Sequence, residues 1–166
     1  YDNDGWLDIL LAGEGVRAFR NLGTAGFQET TEALGLTGLT GPIRSLAAAD
    51  IDQDGDSDLL LHHEKEGLKY LSNDGGNANH QLKIRLYGNR SNASGLGIQV
   101  EASMPGLRFK RTVSSLPIEI GVGKTTKLDS LTARWFDLSR FNLDVEVSTG
   151  ETISLTELIL PTVACP

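Results

Sequence analysis

The stretch Asp50-Ile51-Asp52-Gln53-Asp54-Gly55-Asp56-Ser57-Asp58-Leu59-Leu60-Leu61 puts five aspartates at every second position. Like charges that close repel one another unless a cation sits among them. Oxygen-only ligands on a flexible loop select a hard cation, and many carboxylates favour Ca²⁺ over Mg²⁺, which keeps several of its waters. Asp50, Asp52 and Asp54 take positions one, three and five, Gly55 sits where the chain must turn sharply, Asp56 offers its backbone carbonyl at seven, and Asp58 closes at nine. An EF-hand is excluded at the twelfth position, which holds Leu61 in an apolar run where that motif needs a bidentate Glu and a helix. Apolar Ser45 to Ala49 before the loop and Leu59 to Leu61 after it predict strand, calcium loop, strand. An ion-free, aspartate-rich turn is the competing reading, although a turn needs far fewer carboxylates.

The pattern recurs at the beginning of the chain. In Tyr1 to Leu11, Asp2, Asp4, Gly5 and Asp8 stand where Asp52, Asp54, Gly55 and Asp58 stand, and Ile9-Leu10-Leu11 supplies the apolar strand. The offset, 55 − 5 = 50 residues with several short strands inside it, is that of a propeller blade or a similar β-repeat. The first loop predicts a second, truncated calcium site of Asp2, Asp4, the Trp6 carbonyl and Asp8. Its counterpart of Asp50 would precede Tyr1, so the expectation is a fragment of a longer protein.

Composition supports an all-β class. Nineteen glycines, five prolines and 6% aromatic residues fit a turn-rich β protein, and 39% hydrophobic content over 166 residues suffices for a core. A net charge of −7 argues against nucleic acid as a partner. No apolar run is long enough for a membrane span. Cys165, the one cysteine, has no internal disulfide partner. Weak multi-carboxylate calcium sites are useful where free Ca²⁺ is abundant, so the loop points to an extracellular setting.

Leu7 to Ala12 and Val16 to Asn21 read as two strands of a hairpin turned by Gly13-Glu14-Gly15, and Phe27 opens a short edge segment. The string Asn21 to Leu36 (NLGTAGFQETTEALGL), together with the two aspartate loops, resembles the FG-GAP/VCBS repeat family over most of residues 1–76. That resemblance implies four-stranded blades packed as in a β-propeller, about one and a half of them here. Leu68 to Leu71 is a further strand, and Asn73 to Asn77 is a breaker cluster that predicts a domain boundary. His62 and His63, as neighbours on a strand, face opposite sides and read as packing or surface residues.

Beyond the boundary, Leu82, Ile84 and Leu86 alternate with Lys83 and Arg85 in a half-buried strand. Ile98 to Ala102, Arg108 to Val113, Leu131 to Trp135, Leu143 to Val147 and Thr152 to Leu155 follow as strands of a small β-sandwich. Asn79-His80 with the Lys83 to Leu86 strand, Ser91-Asn92-x-x-Gly95-x-Gly97, Gly121-Val122-Gly123 and Leu128-Asp129-Ser130-Leu131-x-x-Arg134-Trp135 make this half similar to the ASPIC/UnbV domain. It departs from that family where the Gly- and Ser-rich loop shrinks to Ser114-Ser115-Leu116-Pro117, and where Phe136-Asp137-Leu138 replaces Pro-Ser-Gly. The expected domains are 1–76 (calcium-binding repeats), 77–160 (sandwich) and 161–166 (tail).

No nucleophile with a base, no raised carboxylate in a pocket and no His-rich metal site is legible, so the chain does not read as an enzyme. Gly121 to Thr125 lacks the leading spacing of a phosphate loop. Of the sequons Asn89-Arg90-Ser91 and Asn92-Ala93-Ser94, Asn92 reads as a cap of its own turn. The expected function is a calcium-binding, non-catalytic extracellular structural or interaction (adhesion-type) module of a larger secreted or surface protein. Its partner would be a protein or glycan, or another copy through open sheet edges. The alternative is a non-catalytic accessory region of a secreted carbohydrate-active enzyme.

Overall fold

The computed structural model describes residues 1–89, 92–136, 140–143 and 151–157. They form two compact units, Tyr1–Asn79 and His80–Pro166. Both are built of strands, as the turn-rich composition predicts. Among the described residues no helix is long and apolar enough to cross a membrane.

The first unit is one antiparallel sheet of β1 (Ile9–Asn21), β2 (Phe27–Glu29), β3 (Thr40–Ala49), β4 (Asp58–His63) and β5 (Gly67–Leu71), in the order β2-β1-β3-β4-β5. Strands of both sequence repeats therefore share one sheet. The hairpin expected at Gly13-Glu14-Gly15 does not form, because β1 runs through it as a single strand with a register shift against β3 between Glu14 and Gly15. Gly15 makes this possible: its φ is 124°, and a Cβ there would lie 2.7 Å from the Leu39 carbonyl oxygen. A glycine read as a turn is thus a bulge. Val16, Ala18, Leu36, Ile43 and Leu61 form the core of this unit.

His62 is exposed and His63 buried, on opposite faces of β4. The Nδ1 of His63 accepts the N–H groups of Lys65 (3.2 Å) and Glu66 (3.0 Å), and its Nε2–H donates to the Thr40 carbonyl (3.0 Å), so the ring pins the β4–β5 turn. The packing role expected from period-two geometry is the one observed.

The described residues of the second unit form seven strands: β6 (His80–Tyr87), β7 (Gln99–Met104), β8 (Leu107–Thr112), β9 (Ile118–Gly123), β10 (Ser130–Arg134), β11 (Arg140–Leu143) and β12 (Glu151–Thr156). One sheet is ordered β11-β10-β7-β8 and the other β12-β6-β9, with β12 parallel to β6. Leu82, Ile84, Ile120 and Leu155 from one sheet and Val100, Ala102, Leu131 and Ala133 from the other share a single core, which Trp135 joins. This is a sandwich. Strand β9 is not among the strands expected from the sequence, since two glycines in Gly121-Val122-Gly123 carry little strand propensity. In fact Ile118, Ile120 and Val122 alternate onto the core, and the glycines occupy the other face. Strand β6 is more buried than its charge alternation suggests: Gln81 and Lys83 are covered as well. Residues 144–147 of an expected strand, the 161–166 tail, Cys165, Asp137, Leu138, Arg90 and Ser91 lie outside the described residues.

Candidate metal centre

The Asp50–Asp58 loop joins β3 to β4, and the antiparallel pairing of Ala49 with Asp58 brings its two ends together. Ligating oxygens of Asp50, Asp52 and Asp58 lie within 4.8 Å of one another. Oxygens bound at about 2.3–2.6 Å to a calcium ion lie at most about 5 Å apart, so this cluster has the span of one coordination shell. The donor set, carboxylate oxygen throughout, fits a hard cation.

Backbone amides hold the loop in shape. Asp52 Oδ1 accepts the Asp54 N–H (3.3 Å), Asp54 Oδ1 the Asp56 N–H (3.1 Å), and Asp50 Oδ2 the Gly55 N–H (3.1 Å). Asp58 ties the loop to its surroundings by accepting Ile51 N–H at Oδ2 and Asn73 N–H at Oδ1, both at 2.9 Å. Burial alone would raise the Asp58 carboxyl, but the amides of Asn73 and Ile51 and the Tyr70 hydroxyl outweigh it and hold the group below its ordinary value. Asp52 goes the other way: desolvation, together with the charges of Asp54, Asp58 and Asp50, raises it against the Asp54 N–H. A cation among these groups would relieve that repulsion.

The other two aspartates of the run face elsewhere. Asp54 Oδ2 accepts the Asn77 side-chain amide (3.0 Å). Asp56 is fully buried, and its Oδ2 accepts the N–H groups of Gly76 (3.0 Å) and Asn77 (3.1 Å). Its Oδ1 has no hydrogen-bond partner. Burial pushes the Asp56 carboxyl up to about 6, against the two amide bonds and with added repulsion from Asp54 and Asp58. Of the five expected aspartates, then, three converge and two bind the loop to residues 76–77.

The first loop repeats four of the second loop's amide-to-carboxylate bonds. Asp4 N–H donates to Asp2 Oδ1 (3.2 Å) and Trp6 N–H to Asp4 Oδ1 (2.8 Å). Asp8 accepts the Tyr1 amino nitrogen (2.9 Å) and the Asn21 N–H (2.8 Å), just as Asp58 accepts Ile51 and Asn73. Asn3 and Gln53 both have positive φ (54° and 65°), and Gly5 and Gly55 match at 98° and 99°. The difference is what the carboxylates face. Arg20 places Nε 2.7 Å from Asp2 Oδ2 and Nη2 3.3 Å from Asp4 Oδ2. The Nε contact is an ion pair only, since that N–H does not point at the oxygen. Even so, Asp2 stays above its ordinary value, because burial and the Asp4 and Asp8 charges outweigh Arg20. With a guanidinium already against Asp2 and Asp4, the first loop does not fit a divalent ion as the second does.

Sequence reading overlooked the asparagines that join these loops. Asn3 Nδ2 donates to the Gly55 carbonyl (2.8 Å), Asn73 Nδ2 to the carbonyls of Tyr1 (2.8 Å) and Ser57 (3.2 Å), and Asn79 Nδ2 to the Asp2 carbonyl (2.7 Å). A signal exists for Asn73: Asn21-x-Gly23 and Asn73-x-Gly75 each end a strand or follow one, 73 − 21 = 52 residues apart, and each Asn Oδ1 accepts the N–H of its Gly. The sequon asparagines are also engaged. Asn89 Nδ2 donates to the Glu157 carbonyl (2.6 Å), and Asn92 Oδ1 caps its own turn through Ser94 N–H (3.1 Å).

A search of curated proteins finds none that matches the chain. Residues 1–61, which carry both aspartate loops and strands β1 to β3, match the family model of the FG-GAP-like repeat.

Proposed function

We infer that this chain is a calcium-stabilised, non-catalytic structural and interaction module of adhesion type, acting outside cells within a larger secreted or surface protein. The observation that carries the reading is the convergence of Asp50, Asp52 and Asp58 oxygens within 4.8 Å. The FG-GAP-like match over residues 1–61 supports the setting. Asp50, Asp52 and Asp58 would hold the ion, with the Asp56 carbonyl as a further oxygen of the loop; Asp54 would add an oxygen by giving up its bond to Asn77. A bound ion supplies positive charge where the fold has gathered negative charge. The protein's own residues do the rest: they fix the β3–β4 connection and, through Asp56 and Asn77, tie it to the segment after β5.

On this reading residues 1–76 are FG-GAP/VCBS-like repeats, 77–160 an ASPIC/UnbV-like sandwich and 161–166 a tail. The alternating core strands of the second unit and the order of its motifs support the sandwich assignment. The partner is a protein or glycan surface, or another copy meeting an open edge. Edge strand β5 presents Leu68 and Tyr70, which are exposed apolar groups beside unpaired backbone.

Thermal unfolding in excess EDTA, then in millimolar Ca²⁺ or Mg²⁺, tests the reading. The melting temperature should rise by several degrees with Ca²⁺ and less with Mg²⁺. Equal melting in all three buffers would remove the calcium assignment.

A further inference from the structure

We propose that Arg20 is a tethered counter-cation for the first aspartate loop, neutralising Asp2 and Asp4 with a fixed charge in a loop whose backbone repeats that of the second. The inference deepens the calcium reading above and rests on it. Its ground is the comparison of two loops that agree in φ, in amide-to-carboxylate bonds and in the strand that follows, yet differ in what neutralises them.

Asn21 and Asn73 are structural equivalents, each donating its N–H to the last aspartate of its loop at 2.8 and 2.9 Å. The residue before each asparagine therefore approaches its loop from the same direction. In the first loop that residue is Arg20, whose guanidinium lies 2.7 Å from Asp2 and 3.3 Å from Asp4. In the second it is Ser72, whose hydroxyl donates to Asp74 (2.9 Å) and reaches none of the converging carboxylates. A planar guanidinium can face two carboxylates at once and never loses its charge, so it neutralises permanently what a metal neutralises reversibly. The counterparts of Asp2 and Asp4 in the second loop are Asp52 and Asp54; Asp52 belongs to the converging cluster, and, after desolvation, the charges that chiefly shift it are those of Asp54, Asp58 and Asp50. The negative charge of Asp2 is also the chief reason the Arg20 guanidinium is held above its ordinary value.

The test uses the full chain with Arg20→Ser, Arg20→Lys, Ser72→Arg and Asp52→Asn, in two buffers. In EDTA at low salt and neutral pH, Arg20→Ser should lower the melting temperature by several degrees, Arg20→Lys should restore most of the loss, and added salt should shrink it. An unchanged melting temperature for Arg20→Ser in EDTA overturns the proposal, whatever calcium does. In calcium titrations followed by calorimetry, the wild type should take up one ion, and Asp52→Asn should abolish that uptake. Ser72→Arg should weaken it by roughly tenfold or more, since a new cation beside the site repels the ion. Uptake of two ions by the wild type, or undiminished uptake by Asp52→Asn, overturns the assignment of the cation's role to Arg20. If the wild type takes up no calcium, the proposed function fails, and the EDTA series still decides the role of Arg20.

Discussion

Asp56 and Gly76 meet so closely that each constrains the other. A Cβ at Gly76 would lie 2.3 Å from the Tyr1 carbonyl oxygen and 2.6 Å from Asp56 Cβ, both unyielding atoms. Gly76→Ala is therefore expected to cost about 1–3 kcal/mol, read as a lower denaturation midpoint with unchanged slope. The Asp56 carboxyl gives a pH signature. In EDTA its folded value of about 6 stands above the ordinary 3.8, so between these limits the folded chain keeps a proton that the unfolded chain has lost. Stability should then fall as pH rises from about 4 to about 6, by up to about 3 kcal/mol in all. Asp56→Asn should flatten that slope; parallel pH profiles for wild type and variant would show that Asp56 is not its source. Asp52→Asn removes a carboxylate from the converging cluster, and it is expected to abolish the melting shift on adding Ca²⁺ while leaving secondary structure, read by circular dichroism, intact.

At the scale of elements, the informative strands are those whose character was misread from local pattern. Strand β1 contains three glycine-rich residues that have turn chemistry, yet it stays one strand because β2 and β3 pair with it on either side and Gly15 absorbs the register shift. Strand β9 carries two glycines in six residues, and its Ile118, Ile120 and Val122 keep it in the sandwich. Tertiary pairing overrides local propensity in both cases. Strand β6 is the central strand of its sheet, and Ile84 on it is fully buried. Ile84→Ala is expected to destabilise the second unit by about 2–5 kcal/mol, the cost of lost burial plus a cavity. Protection of unit-two amides from hydrogen exchange measures this loss, and a change below about 1 kcal/mol would show that the site collapses around the smaller side chain.

For the whole molecule, each unit has its own core, and the aspartate cluster belongs to the first. Calcium is expected to slow hydrogen exchange within residues 1–79, most at the amides of Ile51, Asp54 and Asn73, and to leave residues 80–157 nearly unchanged. Equal slowing in both units would contradict a site confined to the first. Sequence alone determined the β class, most strands, the repeat of 50 residues and the two aspartate-rich loops, because alternation, turn residues and charge spacing are local properties that one strand or loop already expresses. Only the tertiary structure decided that three of five aspartates converge while Asp56 turns to Gly76, that Arg20 lies against Asp2 and Asp4, and that asparagines distant in sequence join the loops. Those outcomes depend on which amides and charges arrive beside a carboxylate when strands pair, and apart from the repeated Asn-x-Gly no spacing along the chain records them.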